Sequence, residues 1–343
     1  MIFTPHLKRI ILSVGGAALL VCGAPSSAQD AATPAAPASP PATEALSSTR
    51  IILLGTAAGP IPRKERSQPA NLLIVGGRPY LIDAGNGVAR QLAHVGLMPA
   101  DVRTVFITHH HTDHNADIGA LMSFTWIEDA KRNDKSAPPV RFYGPAATSD
   151  LVKAAYDYLS VAERIFRAGV PMPPAAGRFE GHDITGEGVF YRDDRLVVTA
   201  VENTHYHGAA PGPDKSYSYR FDTPDRSVVF CGDSGPSEAL MRLASGADVL
   251  VCEVNDLDAS MNALAATTKM PPQALQAVRA HMSKKHLAAE ELGMLAQKAG
   301  VKSVVLTHIS PGLDGETDAS RYTDGVRKHF SGTVTAGRDL MEF

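Results

Sequence analysis

The chain has 343 residues, 44% of them hydrophobic, and a formal net charge of −3 with acidic and basic residues interspersed. That size and apolar content can bury a large core, in one large or two ordinary domains. No long basic stripe announces nucleic acid and no acidic tail a cationic partner, so charge excludes both as expectations.

At the amino terminus, Lys8 and Arg9 precede an apolar run over 10–21, and 26–28 supplies the small residues a signal peptidase reads. Residues 1–28 are therefore expected to be an export signal cleaved near Ala28. The apolar run is too short for a comfortable membrane span, so no stable anchor is expected. Cys22 raises lipid attachment as a rival, which Val21, standing where a small residue is wanted, disfavours. Residues 29–46 are mostly Ala, Pro, Ser and Thr and read as a flexible tether, leaving 47–343 as the folded domain of a periplasmic or secreted protein.

Apolar runs and turn residues predict strands over 50–55, 71–75 and 79–83, a helix over 87–95 and a strand over 103–108. Helices over 118–130 and 148–166 flank a strand at 140–143, and the Pro-rich stretch 168–177 should end the second helix and form a rigid cover. Further strands are expected over 196–201, 217–221, 248–253 and 303–307. Helices are expected over 237–244, 272–280, 287–299 and 319–330. Alternation of this kind argues a layered α/β protein. Cys231 and Cys252 lie in apolar strand-like runs and read first as small buried hydrophobes, with a disulfide between neighbouring strands left open.

His109, His111, Asp113 and His114 follow the apolar run 105–107 directly. Four potential ligands within six residues, at the end of a buried strand, point into one small volume and begin a two-metal site. Imidazoles with one carboxylate suit Zn²⁺ or another borderline divalent transition metal better than Ca²⁺ or Mg²⁺. The plainer alternative is a tag-like His tract, but a tag would not lead into the amphipathic stretch 118–127.

The pattern His109-x-His111-x-Asp113-His114 resembles the signature of the metallo-β-lactamase superfamily, and further landmarks follow in order. Asp83, ending the run 80–83, looks like the family's bracing aspartate. Asp233, after 228–232, looks like the aspartate that bridges two metals, and His308, after 304–307, like the last histidine. For the remaining histidine, His205 sits nearer the strand end than His207 and matches the family position better. The resemblance implies a four-layer αββα sandwich binding two Zn²⁺. His109, His111 and His205 would hold one ion, Asp113, His114 and His308 the other, and Asp233 both. A metal-bridging hydroxide would then attack the substrate, and Asp113 should be essential to turnover.

An Asp at position 233 and a histidine before the helix 287–299 are similar to the ribonuclease Z and arylsulfatase-like branch. There the histidine protonates the leaving oxygen, so His286 is the candidate general acid and His281 the lesser one. Arg63 or Arg66 is a candidate for receiving an anionic ester, and Glu202, Asn203, Asn255 and Asp256 for lining the rim. Export argues against tRNA maturation. The expected activity is therefore hydrolysis of a small ester, a phosphodiester or sulfate ester, with no nucleic acid partner and with a homodimer left open. Opening of a β-lactam, other amide or lactone is the alternative. A non-catalytic metal-binding module ranks third.

Overall fold

The computed structural model describes residues 48–133, 136–208 and 214–343. The expected export signal (1–28) and tether (29–46) lie outside the described residues. Among the described residues, one sheet runs in the order β1 (Thr49–Gly55), β2 (Ala70–Val75), β3 (Arg78–Ile82), β4 (Thr104–Phe106), β5 (Val140–Gly144), β6 (Phe179–Asp183). The other contains β7 (Gly188–Arg192), β8 (Val197–Glu202), β9 (Tyr217–Asp222), β10 (Ser227–Phe230), β11 (Val249–Asn255), β12 (Ser303–Ser310) and β13 (Thr333–Ala336), in the spatial order β13 to β7. Each sheet is antiparallel on one side and parallel on the other, the parallel parts being β3 to β6 and β10 to β13.

Period-two alternation explains why so many strands are apolar on both faces. Ile51 and Leu53 of β1 point into the space between the sheets, where they meet Tyr80, Phe106, Phe221, Phe230 and Val251. Ile52 and Leu54 point the other way, into the layer of α1 (Val88–His94), α2 (Ile118–Arg132) and α3 (Thr148–Gly169). The second sheet does the same. Val228 and Phe230 face inward, whereas Val229 faces α4 (Glu238–Leu243) and the later helices. Two helices, α5 (Leu257–Thr267) and α6 (Pro272–Lys285), follow β11. They precede α7 (Ala289–Ala299) and α8 (Ser320–Arg327), whose Leu292, Ala296, Tyr322 and Val326 complete the outer layer. Helix, sheet, sheet, helix is the expected four-layer α/β sandwich.

Several local expectations change. Strands β6, β7 and β13 and helix α5 were not predicted; β6 reads Phe-Glu-Gly-His-Asp, which has no apolar alternation and becomes a strand through parallel pairing with β5. The stretch 168–177 covers the core rather than the metal centre. Trp126 of α2 donates Nε1–H to Pro173 O at 2.9 Å, Ala175 N–H donates to the buried Glu163, and Met172 joins the core under α2 and α3. Cys231 and Cys252 are buried as expected and are also joined in a disulfide across β10 and β11, with Cα atoms 5.0 Å apart.

Candidate metal centre

The centre forms at the carboxyl ends of the parallel strands, where backbone leaves the sheet and side chains from separate strands can meet. After β4 the chain runs through His109 to a single 3₁₀ turn, Thr112–His114, with His111 at its start. His308 arrives by a different device. On β12 it is one residue extra, because Thr307 pairs with Glu253 while Ile309 pairs with Val254. Its φ of 42° marks the bulge, which turns the imidazole out of the pleat. Asp83, at φ 63°, is held in the same left-handed region just after β3.

Three imidazole nitrogens converge first. His111 Nδ1 lies 3.1 Å from His109 Nε2 and 3.1 Å from His205 Nε2. Asp233 Oδ2 stands 3.8 Å from the first of these partners and 3.9 Å from the second. The second group is Asp113, His114 and His308. Its Nε2 atoms each lie 3.5 Å from Asp113 Oδ2, and they are 3.3 and 3.2 Å from the two oxygens of Asp233. Asp233 therefore stands between the groups, one oxygen towards His114 and the other towards the remaining histidines. His207, by contrast, lies out on the surface beside Glu202.

These residues fit a pair of divalent ions on physical grounds. His114 Nε2, His308 Nε2 and Asp233 Oδ1 are buried without a hydrogen-bond partner, a cost that a coordinated cation would remove. The far nitrogens are engaged: His114 Nδ1 with Asp83 Oδ2 at 2.8 Å, His109 Nδ1 with Thr108 Oγ1 at 3.1 Å, and His205 Nδ1 with Lys285 O at 3.0 Å. Asp83 also accepts from the Thr108 N–H and hydroxyl. Such partners fix the ring tautomer and orientation a metal ligand needs.

Burial lowers the His109 and His111 pKa values and takes His205 to about 3, so these rings are neutral and carry free lone pairs. His114 and His308 go the other way. Burial opposes their charged forms, but Asp233, with Asp83 and Asp113 at His114 and Asp113 at His308, raises both. Burial would raise Asp113, yet His114 and His308 bring it down to about 2.

Beside Asp233 stands a second acid–base pair. His286 Nδ1 is 2.7 Å from Glu253 Oε2 and 3.9 Å from Asp233 Oδ2. Burial works against the imidazolium, but Glu253 outweighs it and lifts the His286 pKa to about 9. Glu253 is fully buried, accepts from Ser234 N–H at 2.6 Å, and was missed by sequence reading. Its signal was present: an ionisable residue in the middle of the apolar run 249–254, where a charge is costly unless partnered.

Several rim candidates have other work. Arg63 donates to Pro311 O, and Arg66 to Thr56 Oγ1 and Gly337 O, so both tie loops together. Asn203 is buried and accepts from His205 N–H at 3.1 Å, positioning that loop from behind. Glu202 is paired with Lys215. Asn255 accepts from Ser260 Oγ, and Asp256 caps α5. The residue that does press on the centre is Gly59, where a Cβ would stand 2.0 Å from Asp113 Oδ2.

A match to the Beta-lactamase superfamily domain spans residues 78–309. Ribonuclease Z of Mycobacterium bovis (strain BCG / Pasteur 1173P2) is 30% identical over 293 residues, which cover 84% of this chain and 96% of that protein. Among solved structures, the metallo-beta-lactamase fold protein YhfI from Bacillus subtilis has a TM-score of 0.60 at 19% identity, covering 86% of this chain and 98% of its own. Human tRNase Z, short form, has a TM-score of 0.58 at 20% identity over the same shares. These two structures share the fold.

The relatives overturn one expectation, that of a small-molecule substrate with no nucleic acid. A chain this similar to a ribonuclease conflicts with it. The physical fault lay in taking the lack of a basic stripe, together with expected export, as evidence against nucleic acid, whereas bound cations would concentrate positive charge at one point.

Proposed function

The chain belongs to the beta-lactamase superfamily, in its ribonuclease Z branch, and from that premise we propose that this metal-dependent hydrolase is a phosphodiesterase that cleaves RNA. The observation that carries the reading is the convergence of two donor groups on Asp233 with the His286–Glu253 pair beside them. His109, His111 and His205 would hold one ion and Asp113, His114 and His308 the other, with Asp233 placed between the two groups. The nitrogen-rich donor set favours Zn²⁺. Such ions, when bound, would supply Lewis acidity that lowers the pKa of a nearby water and polarises the phosphoryl oxygens.

The protein's own groups move the protons. Asp113, the carboxylate of the second group, accepts the proton of the attacking water. As the new P–O bond forms and the ester P–O bond breaks, His286 protonates the departing ribose oxygen from Nε2, its Nδ1–H remaining on Glu253. Solvent then returns each group to its starting state. The reading includes export: cleavage of 1–28 would put the activity in the periplasm or outside the cell, and cell fractionation finding the chain in the cytoplasm refutes that part.

The test is hydrolysis of a single-stranded oligoribonucleotide by the metal-loaded protein, with and without chelator. Cleavage that chelator abolishes is expected. A protein carrying its full metal complement that leaves RNA intact contradicts the reading.

A further inference from the structure

A cavity of about 450 Å³ opens beside the first ligand group, with His111 and His205 in its lining. Tyr206, Lys215, His281 and Lys285 line it further out. Two lysines face this space, and they are not equivalent. Lys215 is paired with Glu202. Lys285 has no carboxylate partner among the described residues, and its Nζ meets only Thr204 O, at 3.4 Å. Asp214 lines the same cavity but makes no ion pair with Lys285.

The backbone beneath Lys285 is pinned residue by residue. Lys284 O presses against Gly235, where a Cβ would stand 2.0 Å away. Lys285 O accepts from His205 Nδ1, His286 binds Glu253, and Leu287 O accepts from Asn255 N–H at 2.9 Å. The last turn of α6 is therefore fixed relative to the metal ligands. One turn earlier, His281 lies on the same helical face as Lys285 and lines the same cavity. An unneutralised, half-buried cation held at a set place beside a hydrolytic centre is a site for an anion.

Resting on the RNA-cleaving reading above, we propose that Lys285, with His281 beside it, binds the phosphate flanking the one being cleaved. The centre then recognises a strand of nucleic acid in preference to an isolated phosphodiester. Lys285 acts in two ways: its carbonyl orients His205, and its ammonium holds the substrate backbone. Only the second depends on the side chain, so substitution separates them.

The experiment compares wild type, Lys285→Ala and Lys285→Arg, all metal-loaded. Binding of a short fluorescein-labelled, phosphorothioate-linked oligouridylate is followed by anisotropy across a salt series. Lys285→Ala should weaken binding roughly tenfold, the scale of a charge-assisted hydrogen bond. It should also flatten the log affinity against log salt slope by about 0.7, the signature of one lost phosphate contact on a single strand. Lys285→Arg should restore the slope. The ratio of kcat/KM for unmodified oligouridylate to that for bis(p-nitrophenyl) phosphate should fall roughly tenfold in Lys285→Ala, in line with the binding loss. If Lys285→Ala binds with the wild-type affinity and slope, the subsite is wrong and the functional reading survives. If wild type carrying two metal equivalents neither binds nor cleaves the oligonucleotide, the functional reading falls and takes the subsite with it.

Discussion

The first ligand group opens onto a cleft, whereas the second is shut in. His111 is solvent-exposed and lines the cavity that Lys285 also lines. Asp113, His114 and His308 are all buried, with Gly59 against Asp113 and Asp83 behind His114. The same chemistry is thus delivered in two forms. The closed group is packed in on every side, and the open group is the one a substrate would meet first on the proposed reading, with Asp233 and His286 beside both.

Substitutions can break this comparison in order of size. Asp233→Ala removes the shared carboxylate. Metal content should drop below two equivalents and turnover on RNA by at least about 10³-fold, since several kcal/mol of charge stabilisation go with the ions. Retention of both metals and activity would remove Asp233 from its place. Next, His286→Ala should cost roughly 10²-fold or more on RNA, whose ribose leaving group needs a proton, and much less on bis(p-nitrophenyl) phosphate. Equal losses on both substrates would take the proton-donor role away from it.

Asp83→Ala sharpens the contrast between the groups. It strips the direct partner from His114 but reaches His109 only through Thr108, so in a calorimetric metal titration the closed group's binding event should weaken by about 10–100-fold and the open group's by less. Loss of both together would mean the groups are not separable. Acid gives the mildest test. His109, His111 and His205 are lowered and already neutral, but His114 and His308 are raised by their carboxylate neighbours and must give up protons to bind metal. As pH falls, metal should leave the closed group first and the open group later, with proton release on binding confined mainly to the closed one. The reverse order, read by metal analysis after dialysis, would contradict these environments.

Much of the centre was legible because its residues announce themselves locally. His109, His111, Asp113 and His114 are close together in sequence, and Asp233 and His308, each after an apolar run, were picked out through the resemblance to a known family. The layered α/β fold was readable from the alternation of strand-like and helix-like stretches, and its four layers from the same resemblance. What stayed hidden depended on distant partners. Glu253 looked like one more strand residue until His286 came to it across 33 positions. The loop-tying role of Arg63 and Arg66 was hidden because their carbonyl acceptors lie far along the chain. Strand β6 has no apolar alternation, and only β5 beside it makes it a strand. The bulge that aims His308 cannot be read from β12 alone, since it is a mismatch in register with β11.

The central claim is that seven side chains on one edge of the sandwich hold two ions that act together on RNA. Metal-stripped protein titrated with Zn²⁺, with oligoribonucleotide cleavage followed at each addition, tests it most directly. Activity should rise to a plateau at about two equivalents, as a site in which two ions share one water requires. A plateau at about one equivalent, or cleavage that proceeds without metal, would contradict it.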